Sequence, residues 1–235
     1  MTSWPLADVV PVALLAGVAG LDVVSFPQAM LSRPIVAATL GGAMVGAPEA
    51  GVACGAALEC LALEALPVGA SRYPEWGSAS VVAGAIAAIG ASDAALPRVG
   101  AFTVAVLVGI TAAWIGGWTM VKHRQFIAWF ARARLHRLAA GDRDAVVGLQ
   151  FVGMSMDLAR ATLLGAVLYL GAWPLARQVD ARWTIGTDLS RAVVVTAVAA
   201  VAAASVWKDF HAISGTRRLF LLSLAAGTAL VFLGV

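Results

Sequence analysis

Residues 46–77 read GAPEAGVACGAALECLALEALPVGASRYPEWG and hold every glutamate of the chain: Glu49, Glu59, Glu64 and Glu75. The rest of the stretch is mostly Ala, Gly, Leu and Val, apolar enough to enter a bilayer. A carboxylate in hydrocarbon costs at least ~2.5–3.5 kcal/mol even on the lenient insertion scale. It persists there when it is paired, protonated or facing a polar cavity. Concentrating that cost in one window points to a segment that handles a polar solute.

Composition agrees with a membrane setting. Hydrophobic residues make up 61% of the 235 positions and charged residues 12%, against about 25% charged in a soluble domain. Such a chain lacks the polar surface to cover a water-exposed fold. The N-terminal MTSWPLADVV has no Lys or Arg before its apolar run, so it reads as a retained membrane segment and not a cleaved signal peptide. The net charge of +3 does not imply nucleic acid. Lys122, Arg124, Arg132, Arg134, Arg137 and Arg143 cluster between apolar runs, offset only by Asp142 and Asp144. That is the positive-inside signature of a cytoplasmic loop.

Working outward, the apolar runs are Val9–Phe26, Ile35–Val45, Gly51–Leu66, Ser78–Ile89, Ala101–Val121, Val146–Trp173, Ala192–Val206 and Leu219–Val235. Several of the early ones fall short of the ~20 residues a full span needs. Pro67 and Pro74 interrupt the connector after the third. Short, glycine-interrupted runs beside carboxylates predict re-entrant or broken helices, which transporters place at solute sites. Between Arg124 and Leu138, Phe126, Ile127, Phe130, Leu135 and Leu138 recur at helical period among Arg and His. This predicts an amphipathic helix on the cytoplasmic face. The expected fold is an all-α integral membrane protein, a multi-span helical bundle forming a single membrane domain over 1–235. Within it, 27–77 is the re-entrant, carboxylate-bearing region and 122–145 the cytoplasmic amphipathic segment.

The candidate binding residues each have two readings. Glu59, mid-run, either accepts hydrogen bonds from adjacent sugar hydroxyls, as a carboxylate does well, or pairs with Arg33 or Arg72 to hold the hairpins together. Glu64 either faces the same cavity or meets an arginine or a neighbouring subunit. Glu75, flanked by Tyr73, Pro74 and Trp76, suits a sugar with its apolar face on a ring and its hydroxyls on the acid; an interfacial aromatic placement explains it equally. Gln28, at the break after Pro27, either bonds hydroxyls or caps exposed backbone. Arg33 is expected to pair with a local carboxylate. Asp157 and Arg160, three apart on one helix face, are expected to form an internal ion pair. Cys54 and Cys60 have no His near them and form no zinc pattern. His123, His136 and His211 fall in basic loops. Neither a P-loop, an HExxH motif nor haem-ligand spacing occurs. No cofactor and no metal are expected.

The order Pro27-Gln28, Ser32-Arg33-Pro34-Ile35-Val36-Ala37, then Gly55-Ala56-Ala57-Leu58-Glu59, then Pro67-Val68-Gly69-Ala70 and Pro74-Glu75 resembles the IIC membrane subunit of the mannose/fructose/sorbose family of the bacterial phosphotransferase system. The motifs cover about the first third of the chain. Where many relatives carry Gly-Asp after the second run, this chain reads Gly46-Ala47-Pro48-Glu49. The resemblance implies a sugar translocator built with a IID membrane subunit, served by soluble IIB and IIA phosphocarriers. It further implies a trimer of IIC–IID pairs, embedded in the lipid of the bacterial inner membrane. The phosphoryl-accepting histidines then belong to IIA and IIB, and none is expected here. By the same resemblance, Glu59 and Glu75 map onto acidic positions near the sugar, and Gln28 onto the polar break. Two other readings remain open: an autonomous transporter coupling a polar solute to protons through Glu59 or Glu64, and a scaffold whose carboxylates only pair with arginines.

Overall fold

The structure, a computed structural model, describes residues 6–23, 25–63, 73–89, 91, 98–209 and 215–233. Glu64 and Arg72 lie outside the described residues, as does most of the 67–75 connector. Every regular element among the described residues is an α-helix: α1 (Leu6–Asp22), α2 (Pro34–Met44), α3 (Pro48–Ala62), α4 (Trp76–Ala87), α5 (Val99–Arg132), α6 (Leu135–Ala139), α7 (Arg143–Ala181), α8 (Thr187–Asp209) and α9 (Thr216–Leu233). The expected all-helical class is what forms. Pro34 and Pro48 stand at the first helical positions of α2 and α3, where the missing N–H costs nothing and the fixed φ suits the helix.

The core is organised around α4. Every residue from Gly77 to Ala87 is buried, and α1, α2, α3, α5 and α7 all pack on it. A helix enclosed on all sides must be apolar on all sides, and WGSASVVAGAIA nearly is. The packing is close because small residues line the contacts. A side chain on Gly84 would begin 2.0 Å from the Ala38 carbonyl oxygen, and one on Gly41 2.1 Å from that of Val81. Backbone therefore rests on backbone where α2 crosses α4.

Among the described residues two helices are long and apolar enough to cross a membrane, α5 with 34 residues and α7 with 39. At 1.5 Å per residue they run about 51 and 58 Å, well beyond the ~30 Å hydrocarbon thickness. By contrast α2, α3 and α4 have 11, 15 and 12 residues, about 16–22 Å each. Leu107, Trp114 and Trp118 on α5 and Leu163 and Val167 on α7 are exposed. Faces of that kind suit hydrocarbon or a packed partner better than water.

The expected separate amphipathic helix does not form. Residues 122–132 continue α5 without a break, and only the five-residue α6 follows before α7. A change from apolar to charged side chains alters what solvates a helix, not its backbone; nothing between Gly117 and Arg132 is a Gly or Pro that would end it. The turn into α7 is capped by Asp142, which accepts from Asp144 N at 3.0 Å and Ala145 N at 3.3 Å. The Arg137 guanidinium, 2.7 Å away, holds the Asp142 carboxyl below the usual carboxylate range, with the capped N–H groups helping. A depressed carboxyl contributes stability at neutral pH that is lost as the pH falls through its folded-state value.

Candidate functional site

Of the buried acids among the described residues, Glu75 is the one fully enclosed. It immediately precedes α4 with its side chain fully enclosed. Its carboxylate caps the helix, accepting from Ser78 N at 2.9 Å and from the Ser78 hydroxyl. Glutamate is not among the favoured cap residues, which are shorter. The segment reaches this depth because α5 offers it a seat. Glu75 N donates to Ala113 O at 2.8 Å. A side chain on Gly117 would begin 2.2 Å from the Tyr73 carbonyl oxygen, and one on Gly116 2.8 Å from Glu75 Oε2. The glycine pair in the Ile115-Gly116-Gly117-Trp118 stretch thus makes room for Tyr73 and Glu75. Tyr73, buried, is tied down further by its hydroxyl, which accepts from Arg124 Nη2 at 2.8 Å.

Arg160 on α7 lies between two acids. Its Nη1 is 3.9 Å from Glu75 Oε2, and its Nε donates to Asp157 Oδ1 at 2.8 Å. Nη1 also donates to Thr119 Oγ1 at 3.0 Å. All three charged groups are almost wholly buried, with 11% of the Arg160 side chain exposed, 2% of Asp157 and none of Glu75. Two carboxylates therefore share one guanidinium. Asp157 Oδ2, Trp76 Nε1 and Ser80 Oγ are buried without a hydrogen-bond partner among the described residues. An unmade bond to such a group costs about 1–3 kcal/mol, so this region is rich in polar capacity that the chain itself leaves unused.

A cleft of about 720 Å³ opens beside the cluster, between α5 and α7, with Ser25, Met120, His123, Gln150, Met154 and Asp157 among its walls. That volume falls within the range of small-molecule sites.

The remaining candidates sit elsewhere. Glu59 on α3 forms an ion pair with Arg33 and accepts from Ile35 N at 3.2 Å, at the N-terminal end of α2. Half of the Arg33 side chain is exposed, and 18% of Glu59. Among the described residues, Glu59 and Glu75 have no partner in common. Gln28 is exposed, on the loop between α1 and α2. Its φ is +57° and that of Met30 +62°, a left-handed region in which side chains other than glycine are strained.

What holds that loop is Asp22, a residue the sequence reading passes over. It is 2% exposed and accepts from Ala29 N at 2.7 Å, Ser32 N at 2.9 Å and Ser32 Oγ at 2.9 Å. A lone aspartate inside the Val9–Phe26 run is the signal that marks it. Thr119 and Ser78 are also missed, being unremarkable hydroxyls until the fold brings Arg160 and Glu75 to them.

Comparison with known proteins bears on the whole arrangement. The family model described as PTS system sorbose-specific IIC component matches residues 6–185. No curated protein matches the chain. A solved structure described as "Structure of membrane protein" is similar at a TM-score of 0.67 and 18% identity, over 100% of this chain and 92% of that one. At that identity the likeness carries the fold alone.

Proposed function

Because this chain belongs to the family of PTS sorbose-specific IIC components, and so is a membrane component of a sugar phosphotransferase transporter, we propose that it is the subunit that binds and translocates the sugar. In this reading it works with a IID membrane subunit, as a trimer of IIC–IID pairs in the bacterial inner membrane. Soluble IIB and IIA proteins phosphorylate the sugar as it enters. The substrate class is a hexose or amino-sugar. The chain spans the membrane several times as one domain, with residues 27–77 re-entrant and the basic 122–145 end of α5 and α7 in the cytoplasm.

The observation that carries the reading is the shared guanidinium. Glu75 and Asp157 present more acceptor capacity than Arg160 and Ser78 take up, beside a cleft roomy enough for a sugar. Asp157 Oδ2, Trp76 Nε1 and Arg160 Nη2 are buried without a hydrogen-bond partner among the described residues, and sugar hydroxyls, which both donate and accept, can meet groups of either kind. Glu59, bonded to Arg33 and the α2 backbone, is assigned to the hairpin and to sugar only if the pair opens. Gln28 contributes from the loop that Asp22 shapes. Glu64 and Arg72 keep the roles expected of them from sequence, a cavity or subunit contact and an ion-pair partner.

Uptake of labelled sugar tests this. Vesicles holding this chain with its IID subunit are expected to accumulate mannose, fructose, sorbose or glucosamine when IIA and IIB are supplied, and vesicles with this chain alone are not. No uptake of any sugar by the pair would overturn the proposal. Uptake by the chain alone, driven by a pH gradient, would replace it with the proton-coupled reading.

A further inference from the structure

We propose that Asp157 is a sugar-contacting residue, and that the cleft between α5 and α7 is the cytoplasmic half of the sugar path. This rests on the reading above and extends it to a residue whose pairing with Arg160 alone would make it structural. Asp157 is 1% exposed and lines the cleft. One oxygen, Oδ1, lies 2.8 Å from both Nε and Nη2 of Arg160, while Oδ2 has no hydrogen-bond partner among the described residues. A carboxylate has about four acceptor positions, and a buried group kept only to hold one arginine would be expected to use both oxygens on it.

The shape of the cleft gives the direction. Its α5 wall is Met120, His123, Arg124, Ile127, Ala128 and Ala131, one face of a helix at 3.6 residues per turn. Its α7 wall runs from Val146 through Gln150 and Met154 to Asp157. Since Arg160 reaches Thr119 and Gly116, Met120 and Asp157 mark the deep end and Ala131 and Val146 the outer end. The outer end coincides with the basic segment, which the positive-inside rule assigns to the cytoplasm. Apolar Met120, Ile127 and Met154 alternate with Ser25, His123, Gln150 and Asp157, a lining that meets both the C–H faces and the hydroxyls of a carbohydrate. The cleft thus leads from the Glu75 cluster to the side on which phosphorylation occurs.

The test uses the assembled complex of this chain with its IID subunit, and equilibrium binding of labelled mannose, fructose, sorbose and glucosamine. Asp157→Asn is expected to weaken binding of the preferred sugar by about tenfold or more, with assembly retained. Gly153→Phe is the independent check. The first carbon of a side chain on Gly153 would meet only Ile127 Cδ1 among the described residues, at 3.9 Å, and Gly153 lines the cleft, so the ring is expected to enter it. It is expected to abolish binding while leaving the melting temperature near that of the parent. If the parent binds sugar and Gly153→Phe binds it equally well, this inference fails and the proposed function stands. The same holds if Asp157→Asn assembles and keeps the parental affinity. If the parent complex binds none of the four sugars, both fail together.

Discussion

Arg160→Met lowers the stability of the chain by about 3–5 kcal/mol, the cost of breaking a buried ion pair by removing one partner. Methionine fills much of the volume but leaves Glu75 and Asp157 facing each other with no cation. Both are nearly or fully enclosed, so neither charge is returned to water by a small movement. Thr119 loses its donor as well. Arg160→Lys is expected to recover only part of the loss, since an ammonium has no fork with which to reach Asp157, Thr119 and Glu75 together. Thermal unfolding of the detergent-purified chain, followed by tryptophan fluorescence, reads this directly. A melting temperature unchanged in Arg160→Met would show that Arg160 is not the cation that holds the two carboxylates in the interior.

Gly84→Ala is the second large effect, and it adds only a methyl group. That methyl would stand 2.0 Å from the Ala38 carbonyl oxygen and 2.6 Å from the carbonyl carbon, both backbone atoms that cannot rotate away. Helices α2 and α4 must separate, and α3 follows because it packs on both. Overpacking a core usually costs about 1–3 kcal/mol, and a backbone clash in the central helix belongs at or above the top of that range. Gly171→Ala on α7 is the control. No described residue lies within 4 Å of its added carbon, and alanine in a helix interior is favoured over glycine by up to about 1 kcal/mol. The two variants are expected to move the melting temperature in opposite directions. Equal behaviour would mean that α2 and α4 are not in backbone contact.

The helical class was legible because 61% hydrophobic composition and long apolar runs leave little else. The Asp157–Arg160 contact was legible too, since a three-residue spacing fixes a shared face wherever the helix goes. What Glu75 meets was not, because its seat and its cation come from α5 and α7, and no local pattern joins them. The Gly116-Gly117 pair is the trace left in sequence: adjacent glycines in a long apolar helix mark a place where another backbone comes close. Glu59 was readable only as a choice between sugar and arginine, and the ion pair with Arg33 is where the fold leaves it. The amphipathic helix expected between Arg124 and Leu138 instead begins as part of α5, for a physical reason. Hydropathy reports where a helix leaves the hydrocarbon, whereas α5 ends only where its backbone does, at Arg132.

The proposal that the buried Glu75 cluster serves sugar binding is tested most directly by the affinity of the Glu75→Gln complex for labelled hexose. Glutamine keeps the shape and can still cap Ser78 N, so assembly and melting temperature should remain close to the parent. The dissociation constant should rise by about tenfold or more, the worth of a charge-assisted bond. A folded Glu75→Gln complex that binds hexose with undiminished affinity would contradict the account.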